Sequence, residues 1–199
     1  MALSDSTPET RFRNTVMPTY KQSRKTTRRP LVYKPLREWV HETFETFERP
    51  GLEGDDVLGI LATRKDETER IVVSIDKDLK TIPGKLYNYG KPELGIIEVS
   101  EDQANYYHLL QTLTGDSTDG YPGCPGIGPV SAKKLLDPFW VTAEGETWFD
   151  AERAWFAVEK AYRGAKLGED VALMNARVAR ILRAEDFDFK LHKPILWQP

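Results

Sequence analysis

The sequence predicts an α/β fold in which a sheet-bearing part over residues 1–100 is continued by a mostly helical part over residues 101–199. Three observations predict it. The run Ile71-Val72-Val73-Ser74-Ile75 is short, β-branched and nearly continuous, as expected of a strand buried on both faces of a parallel sheet. Helical periodicity precedes it. Beyond residue 100 the apolar spacing reads as helix after helix. With 199 residues, 40% of them hydrophobic and 30% charged, the chain is long enough to bury a real core. No apolar run approaches the roughly 18 residues of a membrane span. The first thirty residues are rich in Arg, Ser and Thr, but Asp5, Glu9 and three prolines argue against a targeting helix. The one cysteine, Cys124, makes neither an internal disulfide nor a thiolate metal site, which fits a reducing, cytoplasmic setting.

In chain order, Leu36, Trp39, Val40, Phe44 and Phe47 fall at helical spacing from Pro35 until Pro50-Gly51 stops the pattern. A short helix follows over Asp55 to Thr63, opened by acidic residues that suit its positive N-terminal end. After the 71–75 strand, Lys85 to Tyr89 and Gly95 to Val99 are further strand candidates. Ser100 caps a helix running to about Thr114, with Gln103 completing a capping box and Gly115 ending it. A Gly/Pro-dense stretch, 115–129, leads into a helix over Val130 to Leu136. Helices near Ala151 to Tyr162 and Glu169 to Arg183 precede an irregular tail.

Charge is unevenly spread. Residues 11–37 hold nine basic side chains and no acidic one, so against a net charge of −3 the rest of the chain carries −12. A basic segment of this kind suits a polyanion, because neutralised phosphates release counterions; the alternative is a solvated arm without a partner. Tyr20 and Tyr33 within it tilt the reading toward nucleic acid, as stacking faces for unpaired bases.

The acidic residues gather at predicted element ends: Glu53-Gly54-Asp55-Asp56, Asp76-Lys77-Asp78, and Asp116 with Asp119, with Asp5 a candidate fourth group. Singly, each has a plain explanation as a helix opener, a turn former or a loop polar. Together, at the carboxyl ends of strands where ligands of open sheets bind, they would repel one another unless cations intervened. Oxygen-only ligands suit Mg²⁺ or Mn²⁺, and two ions roughly 4 Å apart hold the attacking and leaving oxygens of a phosphodiester. The stretch from Tyr121 through Gly126-Ile127-Gly128-Pro129 to Leu136 joins a tight glycine turn to a proline-opened helix whose free N–H groups and Lys133 and Lys134 suit a phosphate. It has neither the third glycine of a dinucleotide site nor the Gly-Lys-Ser/Thr of a Walker loop.

These pieces resemble the flap endonuclease and phage-type 5'-3' exonuclease family of structure-specific nucleases. The matching segments are Glu53 to Val57, Ser74 to Ile82, Gly115-Asp116 through the glycine turn to Leu136, and the basic run Pro18 to Arg24; the resemblance spans about residues 2–136. It implies a PIN-like parallel-sheet core, an arch-like basic segment (11–37) and a helical, DNA-binding C-terminal part with a helix-three-turn-helix at 115–136. By resemblance, Asp5, Glu53, Asp55 and Asp56 correspond to a first metal site and Asp76, Asp78, Asp116 and Asp119 to a second. Lys21 and Arg24 correspond to basic residues that approach the scissile phosphate. Tyr20, Lys25, Arg28, Arg29, Gly126, Gly128, Lys133 and Lys134 are the expected DNA contacts, and K⁺ is expected at the hairpin.

The implied function is hydrolysis of phosphodiester bonds at 5' ends or flaps of DNA, and of RNA primers in RNA–DNA hybrids, with no membrane partner and in the host cytoplasm if phage-encoded. One departure bears on it. Family members begin with a buried strand ending in a metal-binding Asp, several dozen residues before the position of Asp5, whereas four residues precede Asp5 here. The expected core is thus N-terminally truncated, and three readings compete: a split enzyme completed by a separate chain, a fragment, or a catalytically impaired DNA-junction binding module. A different PIN-type nuclease shares the sheet logic but leaves the hairpin unexplained.

Overall fold

The computed structural model covers residues 1–199, and the structure describes every backbone position and all side chains except those of Lys25 and Thr26. A short helix α1 (Arg13–Val16) and a 3₁₀ turn lead to α2 (Tyr33–Thr43). This helix is amphipathic but ends before Phe44 and Phe47, which the spacing placed on it, and Leu36 and Trp39 on its apolar side are exposed while Arg37 ties it to the Ser4 carbonyl and Glu48. Helix α3 (Gly54–Ala62) starts where the acidic cluster predicts, and the Glu53 N–H donates to Asp56 Oδ2 at 3.1 Å to close its first turn.

Strand β1 (Ile71–Val73) pairs in parallel with β2 (Gly84–Tyr87), which pairs antiparallel with β3 (Ile96–Val99). The sheet is therefore mixed rather than wholly parallel. The expectation for β1 is also corrected: Val72 faces the core, but Ile71 and Val73 are 43% and 57% exposed and Ile75 lies beyond the strand, exposed as well. One face packs Val72 and Leu86 against Leu79, Ile82 and Ile181; the other is bare. Residues at the start of the chain form isolated parallel bridges, Ala2 with Phe47 and Asp5 with Pro50, rather than joining this sheet.

Helix α4 (Glu101–Thr114) carries the expected reciprocal cap, with Gln103 N–H on Ser100 Oγ at 3.1 Å and Ser100 N–H on Gln103 Oε1 at 3.0 Å. Gly115 ends it with φ +65°, and the chain folds back so tightly that a Cβ on Gly115 would sit 2.4 Å from the Pro122 carbonyl carbon and one on Gly123 2.3 Å from the Gly115 nitrogen. Only glycine fits either position. Helix α5 (Pro129–Leu136) follows, then a hairpin of β4 (Trp140–Ala143) and β5 (Glu146–Phe149) that the helical periodicity does not reveal, then α6 (Ala151–Gly164) and α7 (Glu169–Ala179). Leu109, Leu113, Leu136, Trp155, Val158 and Tyr162 form the core of this half.

Helix α7 is shorter than expected. The end of α7 and the extended chain after it run between the halves: Val178 and Ala179, the last helical residues, pack on Met17, Tyr20 and Tyr121, then Ile181 lies under the sheet, and Leu182 and Phe187 pack against Phe12, Leu52, Val57 and Ile60. A short pair, β6 (Phe187–Asp188) with β7 (Lys193–Pro194), finishes the chain. Among the described residues, no helix is long and apolar enough to cross a membrane.

Candidate active site

The C-terminal end of β1, the N-terminus of α3, the loop after α4 and the 3₁₀ turn after Met17 meet around one cleft of about 300 Å³. Six of the expected acids line it: Glu53, Asp55, Asp76, Asp78, Asp116 and Asp119. Local geometry places each one. Asp76 caps the 3₁₀ turn Lys77–Thr81 by accepting the Asp78 N–H at 2.9 Å. Asp116 accepts the N–H groups of Thr118 and Asp119 at 2.7 and 3.2 Å, holding the loop that presents Asp119. Lys21 reaches the cleft from a left-handed backbone position at φ 51°.

Two wall regions differ in charge balance. On one, Glu53 receives Lys21 Nζ at 2.7 Å, Arg13 at 3.2 Å, Arg11 at 3.2 Å and the Tyr20 hydroxyl at 3.0 Å. Burial alone would raise the Glu53 carboxyl, but Arg13, Lys21 and Arg11 hold it below the ordinary range. Asp119 takes Arg24 at 2.9 Å, Lys21 at 3.3 Å and the Tyr20 hydroxyl at 3.0 Å. On the other wall, burial followed by the neighbouring Asp76 and Asp56 pushes Asp55 up to about 6. Burial, then Asp76, likewise push Asp78 up to about 6, opposed by Lys77, with Asp116 and Asp119 adding smaller pushes. The protein supplies Asp78 with a neutral partner instead, the Gln111 amide at 2.6 Å on Oδ1.

Two expected site residues sit elsewhere, and a third lines the cleft in a different role. Asp56 is fully buried behind the cleft, where Arg13 grips both oxygens at 2.6 and 2.7 Å and the Leu182 N–H adds to these and to the Glu53 N–H a fourth bond, at 3.2 Å. Its oxygens are spent on structure, because a carboxylate at the third helical position beside a buried guanidinium ties α3 to the segment after α7. Asp5 is exposed and bridges Pro50, outside the cleft lining. Tyr20 is 3% exposed, its ring packed with Met17 and Tyr121, so it offers no free stacking face and serves as a hydrogen-bond donor to the carboxylates.

Of the remaining expected contacts, Arg28 and Arg29 are exposed, Arg29 lying 4.6 Å from the Tyr33 ring centre. Gly126 (φ +79°) and Gly128 form the exposed turn that opens α5, and Lys133 and Lys134 are exposed near its end. The Lys25 side chain lies outside the described residues. Sequence reasoning missed Arg13, which reads as one more cation of the basic segment, and Gln111, whose only signal is its place one helical turn before Gly115.

The donor set fits a hard divalent cation: the acids are oxygen donors only, and burial with neighbouring carboxylates raises the proton affinity of Asp55 and Asp78, a cost that a bound cation would relieve. Among the described residues, however, no three acidic, histidine or cysteine side chains are yet gathered closely enough to hold an ion as they stand.

The family profile described as "5'-3' exonuclease, N-terminal resolvase-like domain" matches residues 1–98. The exodeoxyribonuclease of Enterobacteria phage T3 is 33% identical over 207 residues, covering 92% of this chain and 68% of the phage protein. The exonuclease of Escherichia phage T7 is 30% identical over 210 residues, covering 92% and 69%. Among solved structures, a phage T5 flap endonuclease in complex with DNA and metal ions shares the fold at a TM-score of 0.54 and 16% identity, covering 89% of this chain and 71% of that one. The chain belongs to the phage-type 5'-3' exonuclease and flap endonuclease family.

Proposed function

We propose that this 5'-3' nuclease hydrolyses phosphodiester bonds at the 5' ends or flaps of DNA, within the cleft between β1 and the loop after α4. The observation that carries the reading is the wall of Asp55, Asp76, Asp78 and Asp116, acids crowded together and short of positive charge. A phosphate cannot approach such a wall unaided, since burial and then like charges there already raise the proton affinity of two carboxylates. These four residues, with Asp119, are the ones that would hold Mg²⁺ or Mn²⁺. When bound, a pair of such ions supplies charge neutralisation and an activated water for in-line attack.

The chain's own cations have the complementary part. Lys21 and Arg24 rest on Glu53 and Asp119 at the cleft edge, from where a phosphoryl oxygen can take over their hydrogen bonds as charge builds on it. Arg24 is half exposed and rests on Asp119 alone, whereas Lys21 is buried between Glu53 and Asp119. The turn at Gly126 and Gly128, with Lys133 and Lys134, offers backbone N–H groups and positive charge to a duplex without reading bases; K⁺ bound by the turn and cleavage of RNA primers extend the same reading. If phage-encoded, such a nuclease would act in the host cytoplasm. A labelled 5'-flap duplex tests the function: cleavage in Mg²⁺ or Mn²⁺ that stops on chelation supports it, and cleavage that persists in chelator contradicts it.

A second reading, a junction-binding subunit completed by a separate chain, is favoured by the outer edge of β1, which among the described residues has no neighbouring strand in the order β1-β2-β3. A chain that binds flaps but cuts them only after a strand-forming peptide is added supports that reading over the first.

A further inference from the structure

Gln111, like the Tyr20 hydroxyl on Glu53 and Asp119, is an uncharged side chain that holds a cleft carboxylate from outside that acid's own loop, and among the described residues it is the side-chain hydrogen-bond donor to Asp78. It projects from the last full turn of α4, whose neighbouring residues His108, Thr112 and Leu113 are buried, so its backbone is fixed by the core. The Gly115 N–H closes on the Gln111 carbonyl at 2.8 Å, tying the same residue to the start of the Asp116 loop. Asp78 is meanwhile anchored through its backbone: its N–H bonds Asp76 and its carbonyl accepts the Thr81 hydroxyl at 2.8 Å. What remains free is rotation of the Asp78 carboxylate. The Gln111 Nε2 on Oδ1, at 2.6 Å, removes that freedom.

The chemistry of the partner matters. A lysine or arginine in this place would cancel the charge, as Lys21 and Arg24 do for Glu53 and Asp119. An amide orients the carboxylate and leaves its charge whole. Among the described residues Asp78 Oδ2 has no hydrogen-bond partner, so the oxygen not held by Gln111 is the one left for a cation. We propose that Gln111 is a positioning residue, fixing the rotamer of Asp78 so that its second oxygen is presented to a divalent ion. The inference rests on the reading of Asp78 as a metal ligand.

The test uses the full chain and Mn²⁺ alone, by titration calorimetry, beside Mg²⁺ titrations of flap cleavage. Outer partners of ligands typically set metal affinity by about 10-fold or more. Gln111→Leu is therefore expected to weaken Mn²⁺ binding about 10-fold and to raise the half-maximal Mg²⁺ concentration by the same factor, with the thermal midpoint and duplex binding in chelator unchanged. Gln111→Asn keeps the amide but is one methylene short, and is expected to behave like Leu. In an Asp78→Asn background, Gln111→Leu should add nothing. Wild-type Mn²⁺ affinity in Gln111→Leu, or an equal loss in both backgrounds, overturns the positioning role. Wild-type Mn²⁺ affinity in Asp78→Asn overturns the ligand reading itself, and the two failures are distinct.

Discussion

The two wall regions of the cleft are built from the same residue types and differ in what faces them. Glu53 and Asp119 are met by Lys21, Arg24, Arg11 and Arg13, and the nearby Asp56 is locked to Arg13 in the interior. Asp55, Asp76, Asp78 and Asp116 are met chiefly by one another and by backbone N–H groups or an amide. A carboxylate with a buried guanidinium is a structural tie, and removing one member strands a charge. A carboxylate crowded by others is a cost to the fold that only a ligand can offset. The difference separates acids that hold the protein together from acids kept for chemistry.

The largest effect should come from breaking the crowded side. Asp78→Asn, which alters charge and not volume, should lower metal-dependent flap cleavage by at least about 100-fold while duplex binding in chelator persists. Full activity would remove Asp78 from the site. On the matched side, Arg13→Leu should cost about 3–5 kcal/mol in denaturant unfolding, because Asp56, fully buried, loses its counter-charge. A cost below about 1 kcal/mol would show that the pair is dispensable to the fold.

Titration sharpens the contrast. With folded values raised to about 6 from 3.8, Asp55 and Asp78 hold more protons folded than unfolded between about pH 4 and 6. Their contribution to stability therefore falls as pH rises through that window. Glu53, held low, works in the opposite direction, its stabilisation being lost as pH falls. In chelator, the stability of an Asp55→Asn, Asp78→Asn variant relative to wild type should thus grow from pH 4 to 6 and stay level above. A constant difference would mean that the crowding is not felt.

The smallest expected effect lies away from the cleft. Replacing Lys133 and Lys134 by Ala should weaken duplex binding similarly for all sequences and reduce the salt slope by about 2. A loss confined to one sequence would indicate base readout.

Much of this was legible in the chain itself. The Ser100 and Gln103 cap, the glycine stop at Gly115 and the acids at element ends follow local rules, and local rules placed six carboxylates in one cleft. Partners brought from far along the chain left no such mark. Arg13 meets Asp56 across 43 residues and Gln111 meets Asp78 across 33, so only the fold distinguishes a buried tie from a ligand. The run Ile71 to Ile75 has the composition of a doubly covered strand, but composition does not say whether a second layer is present, and here it lies bare on one side. Tyr20 reads as a stacking aromatic because it sits among cations; burial beside Met17 and Tyr121 made it a hydrogen-bond donor.

The most direct test is anomalous diffraction from crystals of the chain grown with Mn²⁺. The account predicts manganese bound by carboxylates among Asp55, Asp76, Asp78 and Asp116, with the Arg13–Asp56 pair intact behind it. Manganese ligated by Asp56 after displacement of Arg13, or found only away from this cleft, would contradict the division between structural and chemical acids.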